Sequence, residues 1–250
     1  MEIKTEYVKL AVADGTSMRA YVAQPAGGGA KRGLLVMQEA FGVNAHIRDI
    51  TERFAREGYL AIAPELFHRT GEGFEGRYDD FPSAMGHMQA LRDPSMEADF
   101  RAAYDWLKSQ GGANLPVVAV GFCMGGRAAF LASATLPIDG AVSFYGGGIA
   151  PSQYNPGLLG RVNDVAAPLL LFWGGRDQHI GTAAMRAVTD ALTQAGKSFA
   201  NVEFSDADHG FFCDARGSHN PLAAAVAWPT VLAFLNTNIA ARERGAAARS

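Results

Sequence analysis

The chain has 250 residues, 48% of them hydrophobic and 19% charged, the profile of a packed protein rather than a disordered one. A formal net charge of −3 and a pI near 6.1 argue against nucleic acid as a partner, because such proteins present a basic patch. Two cysteines, Cys123 and Cys213, are too few for a disulfide framework and lack zinc-site spacing.

No continuous apolar run reaches the ~20 residues of a membrane span, and the N-terminus lacks the apolar core of a signal peptide. The expectations are a cytoplasmic location, no membrane association, no metal and no cofactor. The length suits one large α/β domain over residues 1–240, with the Ala/Arg-rich residues 241–250 as a frayed or disordered tail.

Residues 6–13 and 18–24 read as two strands around Asp14-Gly15, a hairpin dipeptide. From Gly33 the pattern becomes strand and helix in alternation. Residues 33–38 form an apolar run of strand length. Residues 46–57 then carry Ile47, Ile50 and Phe54 at helical spacing, and 59–63 is the next buried strand. Residues 64–94 are long, polar and aromatic without a clean period, as in a loop that serves as a lid or pocket wall.

A helix over 95–110 and a strand over 116–120 follow. Further strands are expected at 141–145, 169–173 and 199–204, and helices at 124–135, 182–195 and 221–236, the last kinked by Pro229. Such alternation requires parallel pairing through right-handed crossovers. The fold class is therefore α/β, a mostly parallel sheet of about eight strands with helices on both faces and an antiparallel N-terminal hairpin. Function in such sheets gathers at the carboxyl ends of the strands.

Directly after the strand ending in Val120 comes Gly121-Phe122-Cys123-Met124-Gly125-Gly126, then a helix-forming run. This is a nucleophile elbow, G-x-S-x-G with cysteine in place of serine. The flanking glycines allow the sharp turn, and the following helix N-terminus favours thiolate over thiol. An acid and a base should follow at later strand ends. Asp177 ends GGRD after one strand, and His209 lies in DADHGF after the next.

His209 would take the thiol proton or hold an imidazolium beside the thiolate, with Asp177 fixing its orientation. Asp206 and Asp208 compete for the acid role but sit too near His209 in sequence, so they read as turn formers. His46, His68, His87, His179 and His219 lack this context and read as surface or structural residues. The oxyanion hole should comprise the backbone N–H of Met124 and of Ala40.

At these residues the chain resembles the dienelactone hydrolases (carboxymethylenebutenolidases) of the α/β-hydrolase fold, over about 33–235. The marks are Gln38-Glu39-Ala40-Phe41-Gly42, the elbow GFCMGG, the GGRD segment and the HGF segment. The resemblance implies hydrolysis of small lactones or esters of dienelactone type through a Cys-His-Asp triad and a covalent thioester. It also implies that Glu39 interacts with the resting thiol until substrate displaces it.

In that family two arginines bind the substrate carboxylate, one of them four residues beyond the catalytic histidine. That position is Cys213 here, which reads as a packed wall residue. Arg216 lies close by, and Arg69, Arg77 and Arg92 lie in the 64–94 segment. Phe41, Arg77, Arg92, Cys213 and Arg216 are the candidate substrate contacts. A broad carboxylesterase without carboxylate preference stays open, as does a thiol redox or binding protein using Cys123 and Cys213. The expected partner is a small ester or lactone, and the expected state a monomer or weak homodimer.

Overall fold

In the computed structural model, which describes residues 1–153 and 155–247, eight strands build one sheet. They are β1 (Ile3–Ala11), β2 (Ser17–Pro25), β3 (Gly33–Met37), β4 (Leu60–Pro64), β5 (Val117–Phe122), β6 (Ala141–Phe144), β7 (Leu169–Gly174) and β8 (Phe199–Phe204). The spatial order is β1-β2-β4-β3-β5-β6-β7-β8. β1 pairs antiparallel with β2, and β2 with β4, while every pair from β4 to β8 is parallel. The expected α/β class and antiparallel opening are both present.

The helices are α1 (Ala45–Arg56), α2 (His68–Gly71), α3 (Phe81–Ala90), α4 (Asp93–Gly111), α5 (Met124–Thr135), α6 (Gly181–Gln194) and α7 (Pro221–Ala247). Alternation along β3 shows why two layers form. Leu35 and Met37 join a core with Phe100, Leu107 and Leu131, whereas Leu34 and Val36 join another with Ile47, Phe54 and Val231. α1 buries Ile47, Ile50 and Phe54, and Asn44 caps it by accepting the Ile47 N–H at 3.2 Å.

Three expectations need correction. The 64–94 segment is not one loop but contains α2 and α3. Phe81, Ala84, Met85 and Met88 do recur at helical spacing, but only Ala84 is buried within α3, so the apolar signal is weak. The segment is tied down by charge. Glu65 accepts from Arg19 Nε at 2.7 Å and from the Gly73 N–H at 2.8 Å. Asp99, fully buried on α4, accepts two Arg69 bonds at 2.8 Å and contacts His68 Nε2 at 3.1 Å.

The second correction concerns the C-terminus, where α7 continues to Ala247 rather than fraying from 241. Arg242 reaches back to Asp139 at 3.0 Å and to the Asn114 carbonyl at 3.2 Å. Residues 248–250 of the expected tail lie outside the described part. Pro229 sits inside α7, and the helix runs on through it.

Third, one described helix is long and apolar enough to cross a membrane by length and composition, at Pro221–Gly245 with mean hydropathy 1.4. Its apolar residues are interspersed with small ones rather than continuous. Ala223, Ala227, Val231, Leu235 and Ile239 recur every four residues and bury one face against the sheet, and 28% of the apolar window is buried.

Removing the Asp99 carboxylate tests the anchor. Asp99→Ala leaves Arg69 and His68 without their shared acceptor and should lower stability by about 3–5 kcal/mol in urea unfolding. A loss under about 1 kcal/mol would mean that this carboxylate does not hold the segment.

Candidate active site

The turn from β5 into α5 places Cys123 at φ 56°, a conformation L-residues rarely adopt. Two backbone approaches enforce it. A Cβ on Gly121 would run into the Gly125 carbonyl, and one on Gly125 into the Met37 carbonyl at the end of β3. The Cys123 N–H donates to the Phe144 carbonyl at 3.0 Å, and its own carbonyl accepts from Gly126 at 2.9 Å. The thiol thus stands at the N-terminus of α5, whose first N–H groups have no intrahelical acceptor.

Asp177 follows β7 and His209 follows β8. His209 Nδ1 lies 2.7 Å from Asp177 Oδ2. The other Asp177 oxygen accepts the backbone N–H groups of His179 and Ile180 at 2.8 and 3.1 Å. Burial opposes ionisation of Asp177, yet His209 and these N–H donors hold its carboxyl below the usual range.

Burial likewise opposes a charged His209. Cys123 on one side and Asp177 on the other outweigh it and push the imidazole up to about 10. His209 and Asp177 are thus bonded directly, and Cys123 lines the same cavity as His209 and acts on its charge. Asp208 accepts the backbone N–H of His209 at 2.6 Å and Asp206 accepts from Asn220 at 3.3 Å, and neither touches the imidazole.

A cavity of about 590 Å³ opens over Cys123 and His209. Ala40, Phe41 and Met124 line it, as do Tyr78, Phe81, Met88 and Leu91 from the 64–94 segment, which is thereby a pocket wall. Sequence reasoning missed His179, whose ring stands 5.4 Å from that of His209 and which also lines the cavity. Its spacing two residues beyond Asp177 was the available signal. It also missed Tyr145, fully buried at φ 38° after β6, with its ring 5.0 Å from His209.

The candidate arginines separate clearly. Arg77 is an exposed partner of Asp79, and Arg92 spends its guanidinium on the carbonyls of Gln89 and Leu91, so neither lines the cavity. Arg69 is committed to Asp14 and Asp99. Arg216 does line it, over the paired rings of Phe41 and Tyr78 at 5.8 and 5.5 Å from their centres. Its Nη1 contacts Glu39 Oε1 at 3.4 Å. Arg127, unforeseen in the sequence, is also at the cavity but is held bidentately by Asp93 at 2.6 and 3.0 Å.

Glu39 departs from expectation. It is fully buried and its partner is Arg216, and among the described residues no hydrogen bond joins it to Cys123. Cys213 also departs from the list of substrate contacts. It is fully buried behind the wall and donates to the Tyr78 hydroxyl at 3.2 Å, and burial pushes its thiol up to about 11. Both cysteines are free thiols. One group among the described residues has the donor set of a metal site, Glu39 with His46 and Cys213. His46 is buried, not superficial.

Comparison with known proteins gives the family and the fold. The model of the dienelactone hydrolase family matches residues 18–239. A provisionally named carboxymethylenebutenolidase of Synechocystis is 34% identical, covering 96% of this chain and 99% of its own. Another from Salmonella typhimurium is 35% identical over 87% of this chain and 82% of its own. A crystal structure provisionally named a dienelactone hydrolase, from Klebsiella pneumoniae, superposes with a TM-score of 0.85 at 31% identity, covering 94% of this chain and 99% of that one.

The raised His209 value gives a direct measurement. In an NMR titration its ring should stay protonated beyond pH 8, and Asp177→Asn should move the midpoint down, because the carboxylate favours the charged ring. A wild-type midpoint near the ordinary value of about 6.5 would contradict the electrostatics described.

Proposed function

The chain belongs to the dienelactone hydrolase family and is a hydrolase of that type, and from this premise we propose that it opens small lactones and esters through a thioester on Cys123. The observation that carries the reading is Cys123 on its elbow beside His209 in one cavity, with His209 bonded to Asp177 at 2.7 Å behind it.

In the proposed reaction the Cys123 thiolate attacks the carbonyl carbon. The sulfur–carbon bond forms while the carbonyl π pair moves onto oxygen, between the N–H groups of Met124 and Ala40. Collapse of that oxyanion breaks the ester carbon–oxygen bond, and the His209 imidazolium gives its proton to the departing alkoxide. For a lactone the alkoxide stays tethered to the acyl group. Neutral His209 then takes a proton from water, the hydroxide attacks the thioester, and the thiolate leaves. Asp177 holds the ring in register throughout. Loss of one oxyanion donor costs about 10²–10³ in rate, so the elbow geometry matters as much as the thiol.

Arg216 is the proposed carboxylate anchor. Its guanidinium lies over the Phe41–Tyr78 ring pair, and its single long bond to Glu39 leaves donors for an incoming anion. The observation favouring a broader carboxylesterase is the apolar wall of Phe81, Met88, Leu91 and Met96 in the same cavity, which suits neutral acyl groups.

Assays over acidic lactones and neutral esters separate these readings. Cys123→Ala should abolish turnover of all of them and Cys123→Ser should retain a small fraction. Full activity in Cys123→Ala would end the thioester reading. Arg216→Ala should raise KM for acidic lactones about tenfold or more while changing neutral esters little, in line with the ~1.5–3 kcal/mol of a hydrogen bond to a charged group. Equal effects on both classes would favour the broad esterase.

A further inference from the structure

Behind the Tyr78 wall lies a polar group that hydrolysis leaves without a role. The ligand atoms of Glu39, His46 and Cys213 lie within 4.8 Å of one another. The three residues are 0%, 5% and 0% exposed. Neither ring nitrogen of His46 has a hydrogen-bond partner among the described residues, and neither has Glu39 Oε2. A buried polar atom left unpaired costs about 1–3 kcal/mol, so three in one place mark a site built around something else.

We propose that Glu39, His46 and Cys213 form a binding site for one divalent ion of the zinc class. Carboxylate oxygen, imidazole nitrogen and thiolate sulfur are the three donor types that zinc accepts, at bonds of ~2.0–2.3 Å. Such bonds set donor separations of roughly 3.5 Å, so the side chains close in by about 1.3 Å at most from the 4.8 Å seen.

The donors come from separate places in the chain. Glu39 follows β3, His46 lies in the first turn of α1, and Cys213 lies between β8 and α7. The ion therefore ties the start of α1 to the loop that carries His209. Glu39 offers its unpartnered Oε2 while Oε1 remains on Arg216.

The donors alone neutralise the ion. A dication with one carboxylate, one thiolate and a neutral imidazole sums to zero, and the Arg216 guanidinium on Glu39 Oε1 adds one positive charge, which faces the open cavity. As the sulfur–metal bond forms, the Cys213 proton now directed at the Tyr78 hydroxyl leaves to solvent. That hydroxyl then turns to donate to the sulfur. No electrons change hands.

The test uses the full chain, stripped with a chelator under reducing conditions, and Co²⁺ as the probe. The expected result is one equivalent bound with a thiolate-to-cobalt charge-transfer absorption, displaced by one equivalent of Zn²⁺. Only two cysteines exist, so in Cys123→Ser the sole thiol is Cys213. The band should persist in that variant, and His46→Phe should weaken binding at least about tenfold. Absence of a thiolate band in Cys123→Ser, or its full retention in Cys213→Ser, overturns the proposal. The first outcome does not depend on whether Cys213→Ser folds, and neither depends on esterase activity.

Discussion

Two backbones meet without a side chain between them where β5 turns into α5, and the site depends on that approach. Gly125 lies against the Met37 carbonyl at the end of β3, and Gly121 against Gly125 itself. Because β3 and β5 are neighbours in the sheet, the contact sets the first turn of α5 directly beside the residues that follow β3. The loop carrying Glu39, Ala40 and Phe41 is thereby brought to the same mouth as Cys123. The positive φ of Cys123 is strain of about 1–3 kcal/mol, and the packing of β3, β5 and α5 maintains it.

Around this point the buried charges are arranged in opposed pairs. Asp177 faces His209, Glu39 faces Arg216 and Asp93 faces Arg127. The pairs differ in completeness. Arg127 is held by both oxygens of Asp93, so its charge is spent, whereas Arg216 has one long contact and two aromatic neighbours. At the Asp177 end the carboxylate has three donors, which keeps it ionised beside an imidazole in a buried place.

Much of this was legible in the sequence because it is local. Glycines two residues either side of Cys123 announce the elbow, and Asp177 and His209 each close a run of strand residues, so their convergence follows from parallel order alone. The arginines were not legible, because their roles depend on which carboxylate each one meets across the fold. Arg77 and Arg92 looked equivalent to Arg216 in sequence. Two successive turns, with Cys213 N–H on the Gly210 carbonyl and Arg216 N–H on that of Cys213, return Arg216 to the cavity past the position where the resemblance had placed an arginine.

Tyr145 was hidden for a similar reason, since nothing local marks a tyrosine forced to positive φ by its neighbours. The helix α3 was lost because only one of its residues is buried. Glu39 was found but given the wrong contact, as its partner is 177 residues away in the chain.

The cavity's floor and its wall have different dependencies. The floor rests on the ends of the buried strands β5 and β7 and of the edge strand β8, while Tyr78, Phe81, Met88 and Leu91 belong to a segment fastened by charged contacts at Glu65 and Asp99 and by the buried side chains of Leu66, Phe67 and Ala84. Changes in residues 74–92 therefore leave the strand register and the elbow untouched. For descendants of this chain, substrate range and bond-breaking chemistry are separately heritable: new walls can be tried over an old floor.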